Sequence, residues 1–95
     1  MSWNNAGPPV DLAPGQSVFW EYSWKDNEDK GLELAGPNFL DIAPGNLGTL
    51  VASNQGKRLE GFGKNGGAAV TYVVTITNID SSEHATHNLQ GGVVS

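Results

Sequence analysis

Three groups of side chains in this 95-residue chain have types and spacings that could do chemistry. The first is aromatic. Trp20, Tyr22 and Trp24 fall at alternate positions, so an extended backbone places all three on one face. Such a row either fills a core or makes a flat platform suited to the C–H-rich faces of sugar rings. Trp20 and Tyr22 lie well inside the row and read as core. Trp24 abuts the polar run Asp26-Asn27-Glu28-Asp29, whose carboxylates and amide could hydrogen-bond sugar hydroxyls. Trp3, surrounded by Asn4, Asn5 and Gly7, is the other surface candidate; its alternative role is a plug over a sheet edge.

The second group is that acidic run. Hard cations want several oxygens, but the run has no Asp-x-Asp-x-Asp-Gly ladder and no glutamate at the twelfth position. Lys25 and Lys30 flank it and oppose a cation, so a solvated loop is the expectation, with no metal and no cofactor. The third group is His84 and His87, near Asp80, Ser81, Ser82 and Glu83. Residues three apart on a strand point to opposite faces, so the two imidazoles do not converge on one ion. Nothing in this turn supplies a nucleophile elbow or an oxyanion loop. The glycine-rich stretch from Gly61 to Gly67 joins two strands rather than opening a helix, so it is not a phosphate cradle. The expectation is a protein that is not an enzyme.

Composition narrows the partners. Ten acidic residues against five basic ones give a net charge of −5, which disfavours nucleic acid and anionic membrane surfaces. No apolar run approaches the roughly 18–20 residues that span a bilayer, so no membrane insertion is expected. Met1-Ser2-Trp3-Asn4-Asn5 carries neither the basic nor the apolar region of a signal peptide. The absence of cysteine excludes a disulfide framework and thiolate chemistry, and leaves localisation open.

The elements that must position these groups are strands. Val70 to Asn78 is almost wholly β-branched or aromatic, with Val70, Tyr72, Val74 and Ile76 on the inward face and Thr71, Thr75 and Thr77 making the other face more polar. Ser17 to Trp24 alternates in the same way. Shorter strands are expected at Leu32–Ala35, ended by Gly36-Pro37, at Thr49–Ser53, closed by Asn54-Gln55-Gly56, at Arg58–Phe62 and at Ala85–Leu89. Phe39–Ile42 is a brief apolar segment. Asn65-Gly66 marks a hairpin between Arg58–Phe62 and the long strand. Residues 1–15 read as an irregular Pro/Gly-rich lead-in, at best an edge, because proline cannot donate to a central ladder. No segment offers ten residues of helical periodicity free of Gly and Pro.

One internal echo stands out. Asp11-Leu12-Ala13-Pro14-Gly15-Gln16 matches Asp41-Ile42-Ala43-Pro44-Gly45-Asn46, and Pro-Gly suits a type II turn. The echo reads either as two pseudo-symmetric halves, each sending a loop to one end of the domain, or as convergence on a good turn, which is the simpler account.

The whole pattern is a single all-β domain over residues 1–95, an antiparallel β-sandwich of about seven to eight short strands. Leu12 to Val18 and Val73 to Asn78 resemble the Ig-like modules of bacterial cell-surface and adhesion proteins, which implies an Ig-like sandwich. The functional expectation is a non-catalytic binding module, carbohydrate-binding (lectin-like) through Trp3, Trp24 and the Asp26–Asp29 loop. The rival is a structural module whose Thr-rich face and open edges contact another protein or further copies of itself.

Overall fold

The computed structural model describes residues 4–24, 32–61 and 69–94. Among them are six strands and no helix: β1 (Asn4–Leu12), β2 (Ser17–Trp24), β3 (Leu32–Leu40), β4 (Leu50–Glu60), β5 (Ala69–Asn78) and β6 (Ala85–Val94). They form two antiparallel three-stranded sheets, ordered β1-β6-β3 and β2-β5-β4.

Proline decides which strands sit in the middle. β1 contains Pro8 and Pro9 and β3 contains Pro37, and both flank the proline-free β6. An edge strand needs its N–H groups on one side only, so a missing donor is tolerated there. β5, the most β-branched strand, is the centre of the other sheet.

The core forms between the sheets. Leu12 of β1 and Leu89 of β6 meet Val74 and Ile76 of β5, with Val10, Val18, Trp20, Ala35 and Leu50 packed around them. Val70, Tyr72, Val74 and Ile76 are all buried, as their shared parity requires. The threonine face is less open than its polarity suggests: Thr71 is only 1% exposed, because Ser23 and Arg58 flank it on the neighbouring strands and its hydroxyl pairs with that of Ser23 at 2.9 Å.

Several expected boundaries are corrected. Among the described residues six strands are seen against the expected seven or eight, and short expected segments are joined into longer strands. Leu32–Ala35 does not stop at Gly36-Pro37; it continues through them to Leu40, since β3 is an edge. Thr49–Ser53 and Arg58 onward are one strand, β4, bent by a bulge after Ser53 that Asn54 accommodates with φ 54°. Residues 1–15, read as a lead-in and at best an edge, include the edge strand β1 from Asn4 to Leu12, and the Gly7-Pro8-Pro9 irregularity is absorbed as a bulge between Ala6 and Val10. β6 extends past Leu89 through Gly91-Gly92, which pair with Ala35 and Leu34. The expected pairing of Arg58–Phe62 with the long strand is present over the described residues as β4 against β5, with Arg58 opposite Thr71 and Glu60 opposite Ala69; Asn65-Gly66 lies outside the described residues.

Candidate functional site

Of the aromatic and acidic candidates, Trp3, Asp26, Asn27, Glu28 and Asp29 lie outside the described residues. The backbone of Trp24 lies opposite Val70 at the end of β2. Trp20 is half-buried, directed between the sheets, and donates its indole N–H to Nε2 of His87 at 3.2 Å.

The alternation that turns Trp20 inward turns its neighbours outward. Register places them in rows across the outer face of the β2-β5-β4 sheet: Ser17, Thr77 and Val51; then Phe19, Thr75 and Ser53; then Glu21, Val73 and Gly56; then Ser23, Thr71 and Arg58. Phe19 stands on this face 52% exposed, and Val51 is also exposed. Hydroxyls surround the ring, and those of Ser17 and Thr77 hydrogen-bond at 2.7 Å.

One margin of this face is charged. Arg58 reaches across the central strand to Glu21 and also binds Glu60 through Nε at 2.6 Å. The hydrogen bond to Glu21, then that to Glu60, raises the guanidinium's proton affinity. The three groups are exposed, so the pairing orients the margin more than it stabilises the fold. An apolar ring amid hydroxyls, edged by carboxylates and a guanidinium, can stack on an apolar face of a ligand and hydrogen-bond its polar rim. The Phe19 platform was readable in the sequence: once Trp20 faces inward, Phe19 must face out.

The second cluster lies at one end of the sandwich, where both Pro-Gly turns converge on the β5–β6 connection. Each turn closes with an i to i+3 bond, Gln16 N–H to the Ala13 carbonyl at 3.0 Å and Asn46 N–H to the Ala43 carbonyl at 2.9 Å. Gly15 and Gly45 take φ of 81° and 86°, the type II signature. The first turn docks on the Asn78 main chain, which accepts the Gly15 N–H and donates to the Gln16 carbonyl, both at 2.9 Å. The second docks on the His84 main chain, which accepts the Gly48 N–H at 2.8 Å and donates to the Gly45 carbonyl at 3.2 Å. Each turn leads from an edge of one sheet to an edge of the other, so the repeated motif occupies matching places in the architecture.

Polar side chains decorate this end. Asp11 Oδ2 lies 3.1 Å from His84 Nδ1, and Asn46 bonds Thr86 at 3.2 Å. Asp80 Oδ2 accepts the N–H groups of Ser82 at 2.9 Å and Glu83 at 2.7 Å, which hold its carboxyl below the usual range. Exposed Ile42, Leu47 and Ile79 belong to the same connections. His84 and His87 diverge as their spacing requires: His84 is exposed beside Asp11, whereas His87 is fully buried. The hydroxyl of Ser82 is directed to Asp80 rather than to His84. Among the described residues no three His, Cys, Asp or Glu side chains are grouped to hold a metal, and no helix is long and apolar enough to cross a membrane.

No family model matches the chain, and neither does any curated protein or solved structure.

Proposed function

We propose that this chain is a non-catalytic binding module that takes carbohydrate on the outer face of the β2-β5-β4 sheet. The observation that carries the reading is Phe19, an aromatic ring 52% exposed on edge strand β2 beside a row of hydroxyl side chains. Burying such a ring against the C–H face of a sugar removes apolar area from water, while Glu21, Arg58, Ser53 and Thr75 meet the hydroxyls at the rim. β2 leads from Phe19 to Trp24, five residues or about 17 Å along an extended strand. Trp24 has the opposite parity to Phe19, so Trp24, Trp3 and the Asp26–Asp29 loop are proposed as further contacts for a longer saccharide that passes over the strand end.

Glycan-array screening of the wild type and of Phe19→Ala tests the reading. Binding to one class of glycan, weakened at least tenfold by Phe19→Ala with an unchanged melting temperature, supports it. Binding that survives Phe19→Ala but is lost in Trp24→Ala or Trp3→Ala moves the site to the strand end.

A second reading, a structural Ig-like module making protein contacts or self-assembling, is favoured by Val51 and Phe19 sharing a face whose remaining side chains are mostly small hydroxyls. Absence of glycan binding together with a discrete oligomer in light scattering selects it.

A further inference from the structure

We infer that His87 and Trp20 form an acid-sensitive latch between the two sheets, closed near neutral pH and opened when the His87 imidazole takes a second proton. His87 belongs to β6, the centre of one sheet, and Trp20 to β2, an edge of the other. Their rings meet edge to face, with centroids 5.9 Å apart and planes at 81°. The indole N–H is a donor only, so Nε2 of His87 must offer a lone pair to accept it at 3.2 Å. The single proton of the neutral ring then resides on Nδ1. Protonation of Nε2 sets two N–H groups against each other and breaks the bond.

Three features make this contact sensitive. His87 is fully buried with no hydrogen-bond partner for its Nδ1 among the described residues, and the Val10 main chain offsets only part of the cost of an added charge there. The Trp20 ring packs closely on the bare α-carbon of Gly7, where a Cβ would fall 2.4 Å from Cζ3, which blocks it on that side. No described carboxylate faces the imidazole. On β1, Val10 and Leu12 share its side, while Asp11 lies on the opposite face with His84. On β3, Ala35, Pro37 and Phe39 share it, and register puts Glu33 six residues, about 20 Å, from the His87 row. On β2, Glu21 belongs to the outer face with Arg58. On β5 the inward titratable group is Tyr72, with the Lys57 ammonium 5.8 Å from its ring. Burial accordingly depresses the basicity of His87, against a smaller opposing effect from the Val10 main chain.

The sign follows. The folded imidazole binds its proton at lower pH than the unfolded one, whose ordinary value is about 6.5. Stability is therefore full above that value and falls as pH drops below it, a range in which the carboxylates stay ionised.

Melting curves of the full chain between pH 7.5 and 5.5 test the latch. The wild type and His84→Gln should each melt at a lower temperature at pH 5.5 than at pH 7.5, by about 4–8 °C for every kcal/mol of stability lost in a domain of this size. His87→Gln, which can still accept the indole N–H but cannot titrate there, should hold its Tm across the range. A wild type with constant Tm, or a loss abolished by His84→Gln rather than by His87→Gln, overturns the inference. If His87→Gln does not fold, an imidazole NMR titration of the wild type decides: the His87 ring should titrate below the ordinary imidazole value of about 6.5, and titration at or above that value overturns the latch.

Discussion

The fully buried carboxamide of Asn78 donates to the Leu12 carbonyl at 3.0 Å, tying the end of the central strand of one sheet to the edge strand of the other. The same amide donates to the Glu83 carbonyl at 2.8 Å, and its oxygen accepts the Asp80 N–H at 3.0 Å. Asn78→Ala therefore leaves three main-chain groups without their partner. It should destabilise the fold by about 2–3 kcal/mol in urea melts. A loss below about 0.5 kcal/mol would show that the hub contributes little.

Gly48 supplies the space for that hub. A Cβ there would lie 2.8 and 2.9 Å from the Asn78 amide atoms and 2.9 Å from the His84 carbonyl. Gly48→Ala should cost about 1–3 kcal/mol by overpacking. In Asn78→Ala the added cost should shrink without vanishing, because the His84 carbonyl remains; a double-mutant cycle measures the difference.

The alternation of β5 gives a sharper contrast. Ile76 is completely buried and Thr75, its neighbour, is half-buried on the outer face. Ile76→Ala should cost about 2–5 kcal/mol, whereas Thr75→Ala should stay below about 1 kcal/mol. Equal losses at the two positions in denaturant titrations would mean that both faces of the sheet are covered.

Gly15 and Gly45 occupy equivalent positive-φ positions, and a Cβ added at either would have no other atom within 4 Å, so alanine there meets only backbone strain. Gly15→Ala and Gly45→Ala should each cost about 1–2 kcal/mol and by similar amounts. A marked inequality in thermal melts would show that one turn carries more of the end of the sandwich than the other.

Asp80 predicts a separate response to acid. Its carboxylate is held below the usual range by the Ser82 and Glu83 N–H groups, so the unfolded chain takes up this proton first as pH falls. Its contribution is present above about pH 4 and is lost as pH drops through the depressed value. Asp80→Asn should flatten stability against pH in that acid range and leave the slope between about pH 5.5 and 7.5 unchanged.

Much of this architecture was legible in the residues. β-Branching and alternation gave β2 its full extent, Ser17–Trp24, and gave the inward set of β5. The Pro-Gly turns and the divergence of the two histidines followed from backbone geometry alone. Strand ends were harder to read. Gly36-Pro37 and Asn54-Gln55-Gly56 carry turn chemistry, yet the first lies on an edge strand and the second in a bulge, places defined by neighbours distant in sequence. The Asn78 hub was hidden for the same reason, since its partners Leu12 and Gly48 are set by tertiary packing. Phe19 had the right parity for an exposed platform, but its row across β5 and β4 exists only once the strands are in register.

The most direct test of the proposed binding face is an amide chemical-shift titration of the ¹⁵N-labelled chain with a soluble oligosaccharide from the class selected on the array. The account predicts shifts concentrated on Ser17–Ser23, Val51–Arg58 and Thr71–Thr77, abolished in Phe19→Ala. Shifts confined to the two Pro-Gly turns and the Ile79–His84 connection, or no shifts at millimolar saccharide, would contradict it.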